Sequence, residues 1–300
     1  MNMINYPLIL DGGLSNVLEA NGCNLNDELW SARLLQTDPE LLVKAHYTYL
    51  EAGACCVTTA SYQATIEGFM RSGIDGKEAE KLLLSSVTLA EKARNLYYKK
   101  HGSDQKIYIA ASMGPYGAFL ADGSEYLGNY GVSEEALKNF HGKRIQLFAT
   151  TGTDFLAFET IPSYLEVKVL SELLDQYTKP SWVSFSCKDE LHLNDGTRIE
   201  EAACLLANKP QPFAIGVNCT SPKYISEIID VLKKSAPGKK IIVYPNSGEV
   251  YHVESKTWIG VSDPSGFEKM AAEWRKKGAD IIGGCCRIGP DHINRIKDLQ

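Results

Sequence analysis

The chain has 300 residues, a net charge of −6 and 44% apolar residues, which supplies a large core and excludes a general nucleic-acid or anionic-membrane binder. Its first residues, Met1-Asn2-Met3-Ile4-Asn5-Tyr6-Pro7, lack a basic stretch followed by an apolar one, and no apolar run approaches the roughly 18 residues of a membrane span. Eight cysteines at this length fall short of disulfide-scaffold density, so a reducing cytoplasm is the expected setting.

Eight short β-branched runs follow one another along the chain. Pro7-Leu8-Ile9-Leu10 ends in Asp11-Gly12-Gly13, and Ala54-Cys55-Cys56-Val57-Thr58-Thr59 is the second. Ile107-Tyr108-Ile109-Ala110-Ala111 leads to Gly114-Pro115, and Phe155-Leu156-Ala157-Phe158 leads to Glu159-Thr160. Trp182-Val183-Ser184-Phe185-Ser186, Phe213-Ala214-Ile215-Gly216-Val217, Lys240-Ile241-Ile242-Val243-Tyr244 and Asp280-Ile281-Ile282 complete the set. Helical patterns lie between them. The clearest opens on the cap Asp38-Pro39-Glu40 and stops at Gly53. Others are expected over 77–100, 133–151, 162–177, 197–207, 222–234, 264–277 and 290–299. Strict alternation of eight strands and eight helices predicts an α/β chain folded as one (β/α)8 TIM barrel, a single domain over residues 1–300. Long loops follow the first, third and seventh strands, at 14–37, 113–132 and 245–263. Loops after strands build the active-site face of a barrel.

Asn218-Cys219-Thr220 comes directly after the sixth run, and Cys285-Cys286 comes after the eighth, behind Gly283-Gly284. Adjacent residues of a regular strand point to opposite faces. At a strand end loosened by glycine, both thiols can turn to one point and meet Cys219. Three thiolates around a tetrahedral ion leave one position open, as in a catalytic site, and soft sulfur selects zinc, Cu(I) or an iron–sulfur centre. Cys55-Cys56, at the start of a strand, reads as core on the stable side of the barrel. Cys204 fits the buried face of a helix, Cys23 lies in a loop, and Cys187 is a reserve ligand. None of the six histidines has the H-E-x-x-H spacing, and surface roles are expected for most. No strand-end residue is a lysine, which counts against Schiff-base chemistry.

These motifs resemble the homocysteine S-methyltransferase family. The resemblance rests on Asp11-Gly12-Gly13, Thr59-Ala60-Ser61-Tyr62-Gln63-Ala64-Thr65, Gly114-Pro115-Tyr116-Gly117 and Phe158-Glu159-Thr160. It continues through Gly216-Val217-Asn218-Cys219, Tyr244-Pro245-Asn246-Ser247-Gly248 and Gly283-Gly284-Cys285-Cys286-Arg287. Leu120-Ala121-Asp122-Gly123-Ser124-Glu125-Tyr126 is similar to the branch that uses S-methylmethionine.

The resemblance implies a Zn²⁺ held by Cys219, Cys285 and Cys286, and a homocysteine pocket of Asp11, Gly12, Glu159 and Asn218. It implies methyl transfer from a sulfonium donor to homocysteine, forming methionine. S-methylmethionine is the expected donor, with S-adenosylmethionine next and betaine a weaker alternative. A non-catalytic metal or thiol sensor on the same barrel is the alternative of another class. The expected partners are small molecules, without nucleic acid or membrane. Tyr116, Tyr126 and Tyr130, with Met113, are candidates to shape a cationic donor's cavity.

Overall fold

The computed structural model describes residues 4–24, 30–102, 104–252, 257–260 and 262–299. Met1-Asn2-Met3 and parts of the loops after the first and seventh strands lie outside these residues. The strands are β1 (Leu8–Ile9), β2 (Cys56–Thr58), β3 (Tyr108–Met113), β4 (Phe155–Ile161), β5 (Ser181–Phe185), β6 (Ala214–Asn218) and β7 (Lys240–Tyr244). A hairpin of β8 (Val250–His252) and β9 (Thr257–Ile259) precedes the last, β10 (Ile281–Ile282).

All but the hairpin form one parallel sheet in the order β1-β10-β7-β6-β5-β4-β3-β2. The ring closes between its end strands through a parallel bridge from Leu10 to Cys56. Cys55 N donates to Ile9 O at 2.8 Å there, and Asp11 N donates to Cys56 O at 3.0 Å. The architecture is the expected TIM barrel.

Two-residue alternation sorts each strand. Leu8, Leu10, Cys56, Tyr108, Ala110, Phe155, Ala157, Trp182, Ala214, Ile242 and Tyr244 fill the barrel interior as one cluster. Their neighbours, such as Ile9, Ala111, Leu156, Phe158, Val183, Ile215 and Val243, pack outward against the helices. Continuing the inward series along the strands reaches Thr58, Ser112, Glu159, Ser184 and, beyond Gly216, Asn218. The inward face thus changes from apolar to polar toward the C-terminal strand ends.

The helices answer to the local signals. Asp38 Oδ1 accepts from Leu41 N at 3.2 Å and caps Pro39–Glu51. Gly53 adopts φ +104° just beyond its end. The loops after strands are more structured than expected. Leu14–Ala20, Leu34–Thr37, Ile66–Arg71 and Tyr116–Leu120 are short helices. Each is under about two turns, too short for a 3.6-residue repeat to show.

Two expectations about single residues fail. Cys204 is exposed, because Ala202, Ala203 and Leu206 take the inward face of its helix. His46 and His141 are fully buried, and His292 nearly so. His141 is accommodated by a hydrogen bond at 2.7 Å between its Nε2 and Glu166 Oε1. The same buried cluster braces the loop after β3. Tyr116 N and the Tyr130 hydroxyl donate to Glu166 at 2.7 and 3.0 Å, and Arg144 Nη2 donates to Gly114 O at 2.8 Å.

Candidate metal centre

The ends of β6 and β10 meet at the rim of the barrel. Cys219, the residue after β6, takes φ +46°, and Arg287, just after Cys286, takes φ +66°. Thr160 near the end of β4 takes φ +60°. Left-handed backbone at a non-glycine residue costs on the order of 1–3 kcal/mol and persists where the surroundings over-determine it. All three strained residues border the thiols.

The backbone around the cysteine pair is tied on both sides. Cys285 N donates to Pro245 O at 2.8 Å, and Ser247 N donates to Cys286 O at 3.1 Å. Arg287 Nε and Nη2 donate to the two carboxylate oxygens of Glu249 at 3.1 and 3.4 Å. Asp11 O accepts from Gly284 N at 3.0 Å. Gly12 lies so close to this turn that a Cβ there would stand 2.2 Å from Ile288 O. A side chain at Gly12 would push the first strand end away from the cysteines.

The three Sγ atoms of Cys219, Cys285 and Cys286 all lie within 4.8 Å of one another. Cys219 and Cys286 are separated by 3.8 Å. Cys219 and Cys285, with Cα atoms 5.6 Å apart, are joined as a disulfide. In a tetrahedral thiolate–zinc centre, Zn–S bonds of roughly 2.3 Å put neighbouring sulfurs about 3.8 Å apart. The trio therefore fits one tetrahedral ion when the Cys219–Cys285 pair is reduced, since only thiolates ligate.

Asn218 stands beneath the sulfurs. Its Nδ2 donates to Thr160 Oγ1 at 2.8 Å and approaches Cys285 Sγ at 3.8 Å. Its Oδ1 accepts from Thr160 N at 2.6 Å and from Ser184 Oγ at 2.7 Å. All its hydrogen-bonding capacity toward the protein is spent on fixing one rotamer. Ser184 Oγ also lies 2.5 Å from the Tyr244 hydroxyl, which accepts from Trp182 Nε1 at 3.1 Å.

Two buried acids lie in the same mouth. Glu159 accepts a short hydrogen bond from Ser112 Oγ. Burial pushes its carboxyl up to about 7, against the pull of hydrogen bonds from Ser112 and Tyr244. Asp11 Oδ2 accepts from Thr58 N at 2.9 Å. Burial raises Asp11 well above the usual carboxylate range, and the neighbouring Glu159 charge adds to the rise. Two desolvated acids, neither in an ion pair among the described residues, form a pocket that attracts a cation.

The family model described as homocysteine S-methyltransferase matches residues 8–299. The chain belongs to that family. Homocysteine S-methyltransferase YbgG of Bacillus subtilis is 47% identical over 97% of this chain and 94% of that protein. Homocysteine S-methyltransferase 3 of Zea mays is 46% identical over 96% of this chain and 88% of that protein. The metallated form of the homocysteine methyltransferase MmuM from Escherichia coli superposes with a TM-score of 0.87. It is 40% identical and covers 98% of this chain and 96% of that one.

In this methyltransferase the structure brings Cys219, Cys285, Cys286, Asn218, Asp11 and Glu159 to one rim. It does not bring the three tyrosines there as a set. Tyr116 packs its ring edge-on against Phe119 and Phe140, Tyr130 is tied to Glu166, and Tyr126 is about half exposed. Cys187 is buried and stands outside the three-sulfur cluster. Sequence reasoning missed Ser112, which bonds Glu159, and Tyr244 and Ser184, which join Glu159 to Asn218. Their signal was present: each is the next inward position of its strand. Thr160 carried no such signal, because the register shifts between Phe158 and Ile161.

Proposed function

We propose that the chain, acting as a single domain, transfers a methyl group from a sulfonium donor to homocysteine, with S-methylmethionine as donor ahead of S-adenosylmethionine. The observation that carries this reading is three sulfur donors within 4.8 Å beside two buried acids, Asp11 and Glu159. Cys219, Cys285 and Cys286 would hold Zn²⁺. When bound, the ion lowers the pKa of a substrate thiol, which otherwise titrates near about 8.5, so that it ionises at neutral pH.

The chain's own residues do the rest. Glu159 receives the substrate's ammonium group. A cation there favours the ionised carboxylate and offsets the burial that raises its pKa. Asp11 adds a second negative charge, held in place by Thr58. Asn218 orients Cys285 and is itself locked by Thr160 and Ser184. Homocysteine gives its thiol proton to solvent and, as thiolate, attacks the donor's methyl carbon. The carbon–sulfonium bond breaks, its electron pair returns to the donor sulfur, and two neutral thioethers result. Charge is neutralised along the reaction, so alignment of the three atoms is the main task left to the protein.

A reduced sample assayed for metal and for methionine formation tests this. About one zinc per chain, with turnover greatest on S-methylmethionine and lost on chelation, is the expected result. Zinc without turnover on S-methylmethionine, S-adenosylmethionine or betaine would favour the sensor reading. A folded, reduced, metal-free protein with full activity would sink the zinc-thiolate mechanism.

A further inference from the structure

The Asn218 amide touches one metal-centre sulfur and not the other two. Its Nδ2 approaches Cys285 Sγ at 3.8 Å, while among the described residues no side-chain nitrogen donates to the sulfur of Cys219 or Cys286. The orientation of the amide follows from donor chemistry. Thr160 N can only donate, so the amide atom that it meets at 2.6 Å is the oxygen. Ser184 Oγ gives its proton to the same oxygen at 2.7 Å. The NH2 group then faces Thr160 Oγ1 at 2.8 Å with one hydrogen and Cys285 Sγ with the other.

Three strands combine to hold this one N–H on this one sulfur. Thr160 is fully buried, and its left-handed φ of +60°, at the register shift of β4, turns both its N–H and its hydroxyl onto Asn218. Ser184 comes from β5, and its Oγ lies 2.5 Å from the hydroxyl of Tyr244 on β7. Gly216, which pairs with Ser184 on one side and Ile242 on the other, has no side chain to stand between them. None of these partners belongs to the Cys219–Cys285 disulfide, so reduction leaves the clamp in place. Strain at a buried residue persists where it serves a site.

Cys285 is also the ligand whose sulfur reaches the inward polar face, which carries Glu159 and, on the proposed function, homocysteine. A sulfonium beside several thiolates can methylate a ligand as well as the substrate. Attack by the Cys285 sulfur would form a carbon–sulfur bond there and break the carbon–sulfonium bond, with its electron pair returning to the donor. The product would be a neutral thioether in place of a ligating thiolate. A hydrogen bond to a thiolate withdraws charge and slows its attack, by about three- to eightfold for a bond of ordinary strength to a charged group. We propose that the Asn218 N–H shields Cys285 from the methyl donor and so helps direct the methyl group to the substrate's sulfur. The choice of acceptor rests on the proposed function, whereas the shielding rests on the contact alone. Asn218 is then a positioning residue, and Thr160 and Ser184 act through it.

The test treats the reduced, zinc-loaded protein with iodoacetamide in the absence of homocysteine. The rate at each of the three cysteines is read from its own peptide by mass spectrometry. In the wild type, Cys285 should react slowest of the three. Asn218→Asp keeps the shape and the acceptors for Thr160 and Ser184 but lacks the N–H, and Asn218→Ala lacks the whole side chain. At equal zinc content, each should speed Cys285 relative to Cys286 by about three- to eightfold. Prolonged incubation with S-methylmethionine should add a methyl group to Cys285 sooner in both variants than in the wild type. Thr160→Ser retains the N–H and the hydroxyl and should keep the wild-type order of rates. A wild-type Cys285 as reactive as Cys219 and Cys286 overturns the proposal while the proposed function stands. So does a Cys285-to-Cys286 ratio that neither variant changes. Methionine formation is followed alongside. Its absence with every sulfonium removes the proposed function and the choice of acceptor with it, which the iodoacetamide ratios distinguish from loss of the shielding alone.

Discussion

Cys-Cys occurs twice in this chain, and its two copies meet opposite fates. Cys55-Cys56 enters β2, where Cys56 is fully buried among Leu8, Leu10, Tyr108 and Phe155 in the barrel interior. Cys285-Cys286 leaves β10 behind two glycines, and both residues remain partly open to solvent. Within a strand, the pleat sends the two side chains apart and the ladder fixes them there. Beyond a strand end, the backbone is free to turn both thiols toward Cys219. Position relative to the strand end, and not the dipeptide, decides whether the sulfurs can act together.

The largest effect should come from breaking the second pair. Cys285→Ala and Cys286→Ala should each lose the bound metal and bring methyl transfer to background, with the circular dichroism spectrum of the fold unchanged. Metal content by mass spectrometry and a methionine assay measure this. A mutant that keeps both its metal and its turnover would remove that cysteine from the centre. Oxidation should imitate the mutation, because a Cys219–Cys285 disulfide removes two thiolates at once. Metal content restored by a thiol reductant is the expected sign.

Next in size is Asn218→Ala. The side chain joins Thr160 and Ser184 to the Cys285 sulfur. Loss of such an outer partner typically costs about 10–100-fold in metal affinity or activity. Competition with a chelator of known affinity gives the number. An unchanged affinity together with unchanged turnover would reduce Asn218 to a strand-end spacer.

Much of this comparison was legible in the sequence. The eight apolar runs and the capped helices were enough for the barrel, because hydrophobic periodicity and capping are local signals. Cys219, Cys285 and Cys286 were legible because each follows a strand end. Ser112, Ser184 and Tyr244 were legible in principle from two-residue alternation, which fixes the inward face once one inward residue is known. Thr160 was not, since a register shift in β4 breaks the alternation just before it. The burial of His46 and His141 was not legible either. Each depends on which face a helix presents to neighbours distant in sequence.

A pH effect should separate the rim from the interior further. Burial raises Glu159 from 4.5 to about 7. The folded state then holds a proton that the unfolded chain releases near 4.5. The stability tied to this proton is fully present below about pH 4.5 and is lost as pH rises through about 7. The total is about 3 kcal/mol at most for a shift of this size. Glu159→Gln cannot ionise, so its ligand-free melting curves should change less with pH between 5 and 8 than those of the wild type. The mutant should gain relative stability at the alkaline end. Asp11 is raised in the same direction, partly by the Glu159 charge, so the difference reports Glu159 together with its coupling to Asp11. Parallel pH profiles would mean that the pocket already hydrates or pairs this acid.

The smallest effect, Cys56→Ala, is the control for the whole comparison. Cys56 sits two residues below Thr58, so its sulfur lies in the apolar layer and the polar rim begins one layer above. Burial raises its thiol well above the ordinary range, which keeps it protonated and inert. Removing the sulfur leaves a small void among well-packed side chains, and about 1 kcal/mol of stability should go with it. Denaturant midpoints measure that cost, while metal per chain and turnover should match the wild type. If Cys56→Ala instead lost its metal, the two ends of the strands would not be chemically distinct. The layer between Cys56 and Thr58 would then have to transmit to the centre a disturbance that this close-packed interior should contain.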